Sequence, residues 1–315
     1  MPGPDDGHHH PHGHEHFGPA DAATIATRRG VRATWISLGA LLATALLQLL
    51  IVGATDSVAL LADTIHNFTD ALTAIPLLIA FRLARRAPTK RYSYGYHRAE
   101  DLAGVVIVAV ILVSAVVAAI EAVQRLIHPQ PVEHVGWLLI AGVIGAVGNE
   151  AVALYRIRVG RSIGSAAMEA DGLHARTDGL TSLAVVGSAL AVLAGFPRAD
   201  PLIGLAITVV IFWTMIQAAR AVIHRVLDGT DEQTITLIQE VAASVLGVEH
   251  VGDTRARWTG HQLLSELSID VDPGLSVLEG HEVAERVRRA LLEHVPRLAD
   301  ASVHVDPHEH GSHTA

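Results

Sequence analysis

The sequence has no cysteine, one lysine and few aromatic residues, and each shortage removes a class of function. Without cysteine the chain has neither disulfide bonds nor thiolate metal ligands. Lys90 is the only lysine and no G-x-x-x-x-G-K-[ST] motif surrounds it, which excludes a P-loop nucleotide site. The H-E-x-x-H motif of membrane metalloproteases is also absent, and no basic groove with interleaved aromatic residues indicates nucleic acid. We therefore expect no nucleotide, no nucleic acid and no organic cofactor, and we do not expect an enzyme.

Long apolar runs dominate what is present: half of the 315 residues are apolar. Residues 33–55, 102–120, 179–197 and 201–219 contain no ionisable side chain, and each run is close to the ~20 residues that cross a membrane as a helix. Two further runs are interrupted by polar residues, 57–81 by two aspartates and a histidine and 135–155 by Glu150. Extending the fifth run back to about Ala167 gives six predicted transmembrane helices.

Basic residues lie mostly on one side of these spans, fourteen against Arg125 and Arg198 on the other. Cytoplasmic flanks carry the excess of Lys and Arg, so both termini are predicted to be cytoplasmic in an integral protein of the plasma (inner) membrane. The fourteen are Arg28, Arg29, Arg32, Arg82, Arg85, Arg86, Lys90, Arg91, Arg98, Arg156, Arg158, Arg161, Arg220 and Arg225.

Composition divides the chain into four parts. Residues 1–30 form a His-rich polar tract that we expect to be a disordered cytoplasmic tail, residues 31–225 the six-helix membrane domain, and residues 308–315 a second His-containing tail. Residues 226–307 have a soluble pattern. Thr230 with Gln233, and Ser276 with Glu279, have capping-box spacing before two helices. Alternating residues predict strands at 250–258 and 263–271 and a last strand in ASVHVD, giving a small cytoplasmic α+β domain.

A twelve-residue stretch occurs twice, as ADTIHNFTDALT from Ala62 and as ADGLHARTDGLT from Ala170, and seven of its positions are identical. Positions i, i+3 and i+7 share one face of a helix. The second and fifth spans therefore each present an Asp-His-Asp face: Asp63, His66 and Asp70, and Asp171, His174 and Asp178. A membrane aspartate costs ~3 kcal/mol on insertion scales, so a bound partner must compensate these residues.

The compensation we predict is a divalent cation held by His66, Asp70, His174 and Asp178. Two imidazole nitrogens and two carboxylate oxygens form the four-coordinate set that suits Zn²⁺. Fe²⁺, Co²⁺, Ni²⁺ and Cd²⁺ stay open as alternatives, whereas imidazole ligands argue against Mg²⁺ and Ca²⁺. Asp63 and Asp171 lie one turn earlier and are predicted to orient a histidine or to stage ions. Arg176 points to another face, where Glu150, Asp171 or a water-filled cavity could receive it.

The placement of the site favours transport. Transporters hold their ions near mid-depth on separate helices, and protons compete with metals for histidine and aspartate. With no nucleotide site, export must use a gradient, and the readily protonated imidazoles of His66 and His174 suit proton antiport. A membrane metalloenzyme and a metal sensor without flux are the alternatives from other classes.

With these motifs the sequence resembles the cation diffusion facilitator family, in its zinc-type H-x-x-x-D / H-x-x-x-D subgroup. The stretches YSYGYHRAEDLAG, GSAAMEADGLHARTD, GHEVAE and HVDP are similar to other parts of that family, over about residues 30–307.

The resemblance implies a homodimeric exporter of Zn²⁺ or a similar ion that works by alternating access with proton antiport. It also implies a ferredoxin-like cytoplasmic domain that binds a regulatory metal ion through His281, His304 and Asp306. Ser268 stands where some members have another histidine, and we expect His250 or His261 to substitute for it.

Overall fold

The computed structural model describes residues 19–55, 74–127, 135–196 and 199–308. It contains a helical bundle followed by a small α+β domain. The bundle helices are α1 (Pro19–Thr55), α2 (Ala74–Ala84), α3 (Ala99–Ile127), α4 (Val135–Ile163), α5 (Ala166–Leu193) and α6 (Ala199–Val226). The second domain holds α7 (Glu232–Ala243), β1 (His250–Thr259), β2 (Gln262–Val271), α8 (Val277–His294) and β3 (Leu298–Pro307).

Among the described residues, four helical segments are long and apolar enough to cross a membrane: 24–51, 99–117, 135–163 and 202–226. Helix α5 is as long as its neighbours, but Glu169, Asp171, Arg176 and Asp178 lower its hydropathy. Helix α2 is the described end of the second predicted span, most of which lies outside the described residues. The polytopic helical architecture is confirmed, and the count of six spans stays a prediction.

Helix α1 begins earlier than the sequence pattern indicated. Residues 19–30, which we assigned to the disordered tail, form the first turns of this continuous helix. The reason is local, because ADAATIATRR is rich in helix-forming alanine and arginine, and Pro19 stands at the first helical position, where proline is tolerated. Helix α1 therefore begins well before the apolar run that starts at residue 33.

In the bundle, α5 packs against α4 and α6, while α1 packs on α4, and α3 on α6. Helices α4 and α5 approach closely at Gly172, where an added Cβ atom would lie 2.7 Å from Ile157 and 3.1 Å from the Cβ of Arg156. This approach brings polar groups of the two helices into direct contact inside the bundle.

The cytoplasmic domain confirms the predicted α-β-β-α-β order. Strand β2 is central, antiparallel to β1 and parallel to β3. Alternate residues of β2, among them Leu263, Leu267 and Ile269, are buried in a core with residues of α7 and α8. The Ser276–Glu279 capping box is present, but the other predicted cap was wrong: Asp231 caps α7, and the Thr230 hydroxyl donates to the carbonyl of Ala256 instead.

Candidate metal centre

Helix α5 carries three of the predicted site residues on one buried face. Asp171, His174 and Asp178 are all shielded from solvent, although they lie in an otherwise apolar bundle. The Nδ1 atom of His174 lies 3.7 Å from a carboxylate oxygen of Asp178. An imidazole and a carboxylate one turn apart can bind the same metal ion, so this face presents one nitrogen and one oxygen donor of the kind that the sequence predicts.

The matching face of the second span lies outside the described residues. Asp63, His66 and Asp70 belong to residues 56–73, so their distances from α5 are not part of the described structure. The convergence of His66 and Asp70 with His174 and Asp178 therefore stays a prediction.

The partner of Asp171 is a residue that the sequence analysis placed elsewhere. The Nη1 atom of Arg156 on α4 lies 2.9 Å from the Oδ2 atom of Asp171, and the two side chains are 1% and 0% exposed. Arg156 is thus not a charge at the membrane surface, as its inclusion among the fourteen flanking residues assumed. It is an ion-pair partner inside the bundle, and Asp171, with which it pairs, precedes His174 by one helical turn.

Arg176 pairs with Glu150 of α4 and not with Asp171. Its Nε and Nη2 atoms donate to the two carboxylate oxygens at 3.2 and 2.8 Å. This two-bond arrangement holds the guanidinium away from the face that carries His174 and Asp178. A positive charge within the repeated motif is therefore compatible with a cation site on the other face.

The cytoplasmic candidates are only partly brought together. On β3, the Nε2 atom of His304 lies 3.1 Å from Asp306, with both side chains exposed. His281 is exposed on α8, and His250 begins β1 opposite Asp270. Across the described ranges, no group of three or more His, Asp or Glu side chains is placed to hold a metal ion. The regulatory ion stays a prediction for this domain.

His261 lies at the junction of the two domains, in the β1–β2 turn. Its Nδ1 atom is 2.8 Å from the carboxylate of Glu100 on α3, and its Nε2 atom is 3.2 Å from the hydroxyl of Thr27 on α1. Gly260 has a φ of +59°, and an added Cβ atom would lie 2.8 Å from Glu100. Only glycine adopts this conformation without strain and leaves room for the carboxylate. The turn is therefore fitted to the cytoplasmic end of the bundle.

Further contacts fix the same turn to α3 and α6. The backbone N–H of Gly260 donates to Asp101 at 3.1 Å, and Arg225 of α6 donates to the carbonyl of Gly260. The guanidinium of Arg225 also lies 3.8 Å from the ring centre of Trp258, a cation–π contact. Burial lowers the pKa of the neighbouring His97, and the charge of His261 lowers it further, while Glu100 raises it.

Sequence reasoning missed Arg156, Glu100 and Asp101 as structural partners. Each lies close to the end of an apolar run, where charged residues are usually assigned to the membrane surface. The sequence did contain one indication, the acidic pair Glu100–Asp101 in the first turn of α3. Two adjacent carboxylates at a helix N-terminus can accept hydrogen bonds from another segment of the chain.

Comparisons with known proteins agree with this architecture. Residues 34–227 match the family described as cation efflux transmembrane domain, and residues 230–308 match the cation efflux protein, cytoplasmic domain. A "Probable cation efflux system protein" of Mycobacterium tuberculosis is 51% identical over 302 residues, which is 96% of this chain and 91% of that protein.

More distant relatives include the cation-efflux pump FieF of Serratia proteamaculans, 28% identical over 80% of this chain and 84% of that protein. The magnetosome protein MamB of Paramagnetospirillum magneticum is 24% identical over 80% and 86% of the two chains. Among solved structures, a nickel form of the MamM CTD covers 25% of this chain and all of that chain, with 32% identity and a TM-score of 0.25.

The membrane-domain match covers more than half of the chain, and the cytoplasmic-domain match follows it in the expected order. The chain therefore belongs to the cation efflux family of membrane transporters, the cation diffusion facilitators, and it is a transporter and not an enzyme.

Proposed function

We propose that this cation efflux transporter exports Zn²⁺ from the cytoplasm in exchange for protons. The observation that carries the proposal is the buried Asp171, His174 and Asp178 face of α5. In the bundle, such groups are costly unless they bind an ion or one another. His174 and Asp178 supply half of a four-ligand set, and His66 and Asp70 are proposed to supply the rest.

The choice of Zn²⁺ rests on the chemistry of this set. Imidazole nitrogens suit Zn²⁺ and its neighbours in the transition series, whereas Mg²⁺ and Ca²⁺ prefer shells made only of oxygen. Two carboxylates also balance the charge of one dication. Fe²⁺, Co²⁺, Ni²⁺ and Cd²⁺ use the same ligands, and a flux assay must compare them directly.

Proton exchange is proposed on energetic grounds. Export of a dication against an interior-negative potential costs ~4.6 kcal/mol per 100 mV, and the return of one proton halves this electrical work. His66 and His174 are the proposed carriers, because histidine changes its protonation readily near neutral pH and must be deprotonated to bind metal. Protonation from outside would then release the metal ion.

The remaining assignments follow the family. We propose a homodimer in the plasma (inner) membrane with both termini in the cytoplasm, in which the cytoplasmic domains bind a regulatory Zn²⁺ through His281, His304 and Asp306. His250 beside Asp270 is the remaining candidate for an additional ligand. His261 is occupied by Glu100 and Thr27 at the domain junction, which makes it the weaker substitute.

The test is ion flux in proteoliposomes with an imposed pH gradient. Wild-type protein is expected to move Zn²⁺ at a rate that rises with the opposing proton gradient, while His174→Ala and Asp178→Ala lose transport by at least about a hundredfold. His294→Ala is the matched control, because this exposed histidine of α8 bonds only a carbonyl of its own helix. A Zn²⁺ flux that does not depend on the pH gradient would contradict proton antiport. Normal flux in the His174→Ala and Asp178→Ala variants would contradict the proposed transport site.

A further inference from the structure

One ion pair between α4 and α5 differs from the others that join these helices. Arg161 pairs with Glu169 at 2.9 Å and Arg176 pairs with Glu150 at 2.8 Å, but in both pairs the side chains reach the surface of the molecule. The Arg156–Asp171 pair is buried completely. The Nε and Nη2 atoms of Arg156 have no hydrogen-bond partner in the part of the chain that the structure describes.

A buried pair of this kind is a poor way to hold two helices together. Removing two charges from water costs more than their attraction returns unless their remaining donors are satisfied, and apolar residues of similar volume are often at least as stable. Two outer pairs and the close approach at Gly172 already join α4 to α5. The burial of Arg156 therefore needs a reason other than helix packing.

The position of Asp171 supplies that reason. Asp171 precedes His174 by three residues and Asp178 by seven, so it lies on the same face, with its Cβ atom about 5–6 Å from that of His174. A free carboxylate at this distance could become an additional metal ligand. It would also make the site more negative than one dication requires.

We propose that Arg156 is a specificity-determining positioning residue of the transport site. By holding Asp171 in a buried ion pair, it keeps that carboxylate out of the ligand set and leaves two imidazoles and two carboxylates for the metal ion. The site then favours Zn²⁺ over Mn²⁺, which prefers carboxylate, carbonyl and water oxygens. This inference deepens the proposed function and rests on it.

The structure also provides a matched control. Arg161–Glu169 joins the same two helices with arginine on α4 and the carboxylate on α5, but Arg161 is 68% exposed. An effect of Arg156 that comes only from linking the helices should appear, in weaker form, in Arg161 variants. An effect that comes from the guanidinium charge of Arg156 beside the proposed metal site should be absent from the Arg161 variants.

The experiment measures equilibrium binding of Zn²⁺ and of Mn²⁺ to the purified full-length transporter in which His281→Ala, His304→Ala and Asp306→Ala remove the proposed cytoplasmic ligands. Arg156→Gln should release Asp171 and raise the Mn²⁺ to Zn²⁺ affinity ratio about tenfold. Asp171→Asn should leave the guanidinium charge uncompensated near the ligands and weaken the binding of both ions about tenfold. The double variant should return the affinity ratio and the two affinities toward their wild-type values. Arg161→Gln should change neither the ratio nor the affinities.

Several outcomes would overturn the proposal. The two single variants could shift the metal affinities in the same direction, the double variant could be worse than either, or Arg161→Gln could match Arg156→Gln. If Arg156→Gln does not fold, Arg156→Lys replaces it. A lysine keeps the charge and should keep the wild-type ratio, so an altered ratio in this variant also contradicts the proposal.

The result separates this inference from the proposed function. If His174→Ala binds both ions as wild type does, the transport site itself is wrongly placed. If His174→Ala loses binding while every Arg156 and Asp171 variant keeps the wild-type ratio, the site stands and only the role of Arg156 is refuted.

Discussion

The two domains of this chain distribute their polar groups in opposite ways. In the cytoplasmic domain the core is apolar, with Ile238, Leu263 and Ile269 fully buried, and the Arg288–Asp300 ion pair lies on the surface. In the membrane domain the interior holds Arg156, Asp171 and His174, while leucine and valine side chains such as Leu50 and Val209 face outward. Water favours an apolar core with charges on the surface, as in the cytoplasmic domain. Lipid favours an apolar surface, as in the membrane domain, but it does not require charges inside the bundle. Solvation by water or lipid therefore does not explain the interior charges, and we attribute them to the proposed transport site.

The largest effect on stability is expected for Arg156→Ala, which disrupts the buried ion pair of the membrane domain. Removing the guanidinium breaks the buried ion pair with Asp171 and should lower the free energy of unfolding by about 3–5 kcal/mol. Arg288→Ala, whose side chain is 39% exposed, should change it by no more than about 0.5 kcal/mol. Unfolding of the purified protein in mixed detergent micelles, followed by circular dichroism, measures both. Equal effects would show that burial does not distinguish the two pairs.

The junction between the domains should give an intermediate effect. Glu100→Gln and His261→Asn each break a buried contact and should destabilise the junction by about 1–3 kcal/mol. The double variant should cost less than the sum, because the two residues act as a pair. Hydrogen exchange at residues 256–263 of the full chain measures this opening, with the exposed His294→Asn as control. Additive losses would mean that Glu100 and His261 do not interact.

The smallest effect is expected at the surface cap of α8. Hydrogen bonds from the hydroxyl and backbone N–H of Ser276 lower the pKa of Glu279 below its ordinary value of 4.5. A lowered carboxyl pKa contributes stability that is present above pH 4.5 and is lost as the pH falls through the folded-state value. The protection of the first-turn amides of α8, measured as the exchange rate relative to that of an unprotected amide at the same pH, should therefore fall slightly in acid. Ser276→Ala removes the hydroxyl donor but keeps the backbone N–H donor, so it should reduce that pH dependence, and an unchanged acid response in this variant would contradict the assignment.

Local patterns in the sequence were enough to predict part of this structure. The strands follow from period-two alternation over Leu263–Val271, and the Ser276–Glu279 cap lies within four residues, so neither depends on distant parts of the chain. The α5 face with His174 and Asp178 follows from helical spacing alone. These features were predicted because their causes are close in sequence.

The features that were missed depend on distant partners. His261 meets Glu100 across 161 positions, and no periodicity shows which histidine will reach the bundle. Arg156 was assigned to the membrane surface because flanking arginines usually lie there, and its burial and its ion pair with Asp171 show that it turns inward. Sequence reasoning therefore predicted the polar face of α5 but not Arg156, which pairs with Asp171 on that face.

We propose that a transported dication is bound by His174 and Asp178 together with His66 and Asp70. The test is X-ray absorption of the Zn²⁺-loaded protein that carries His281→Ala, His304→Ala and Asp306→Ala and lacks the His-rich residues 1–18 and 309–315. We expect four nitrogen or oxygen ligands at about 2.0–2.2 Å with imidazole scattering, reduced when His174→Ala is added. A six-oxygen shell, or a spectrum unchanged by His174→Ala, would contradict the account.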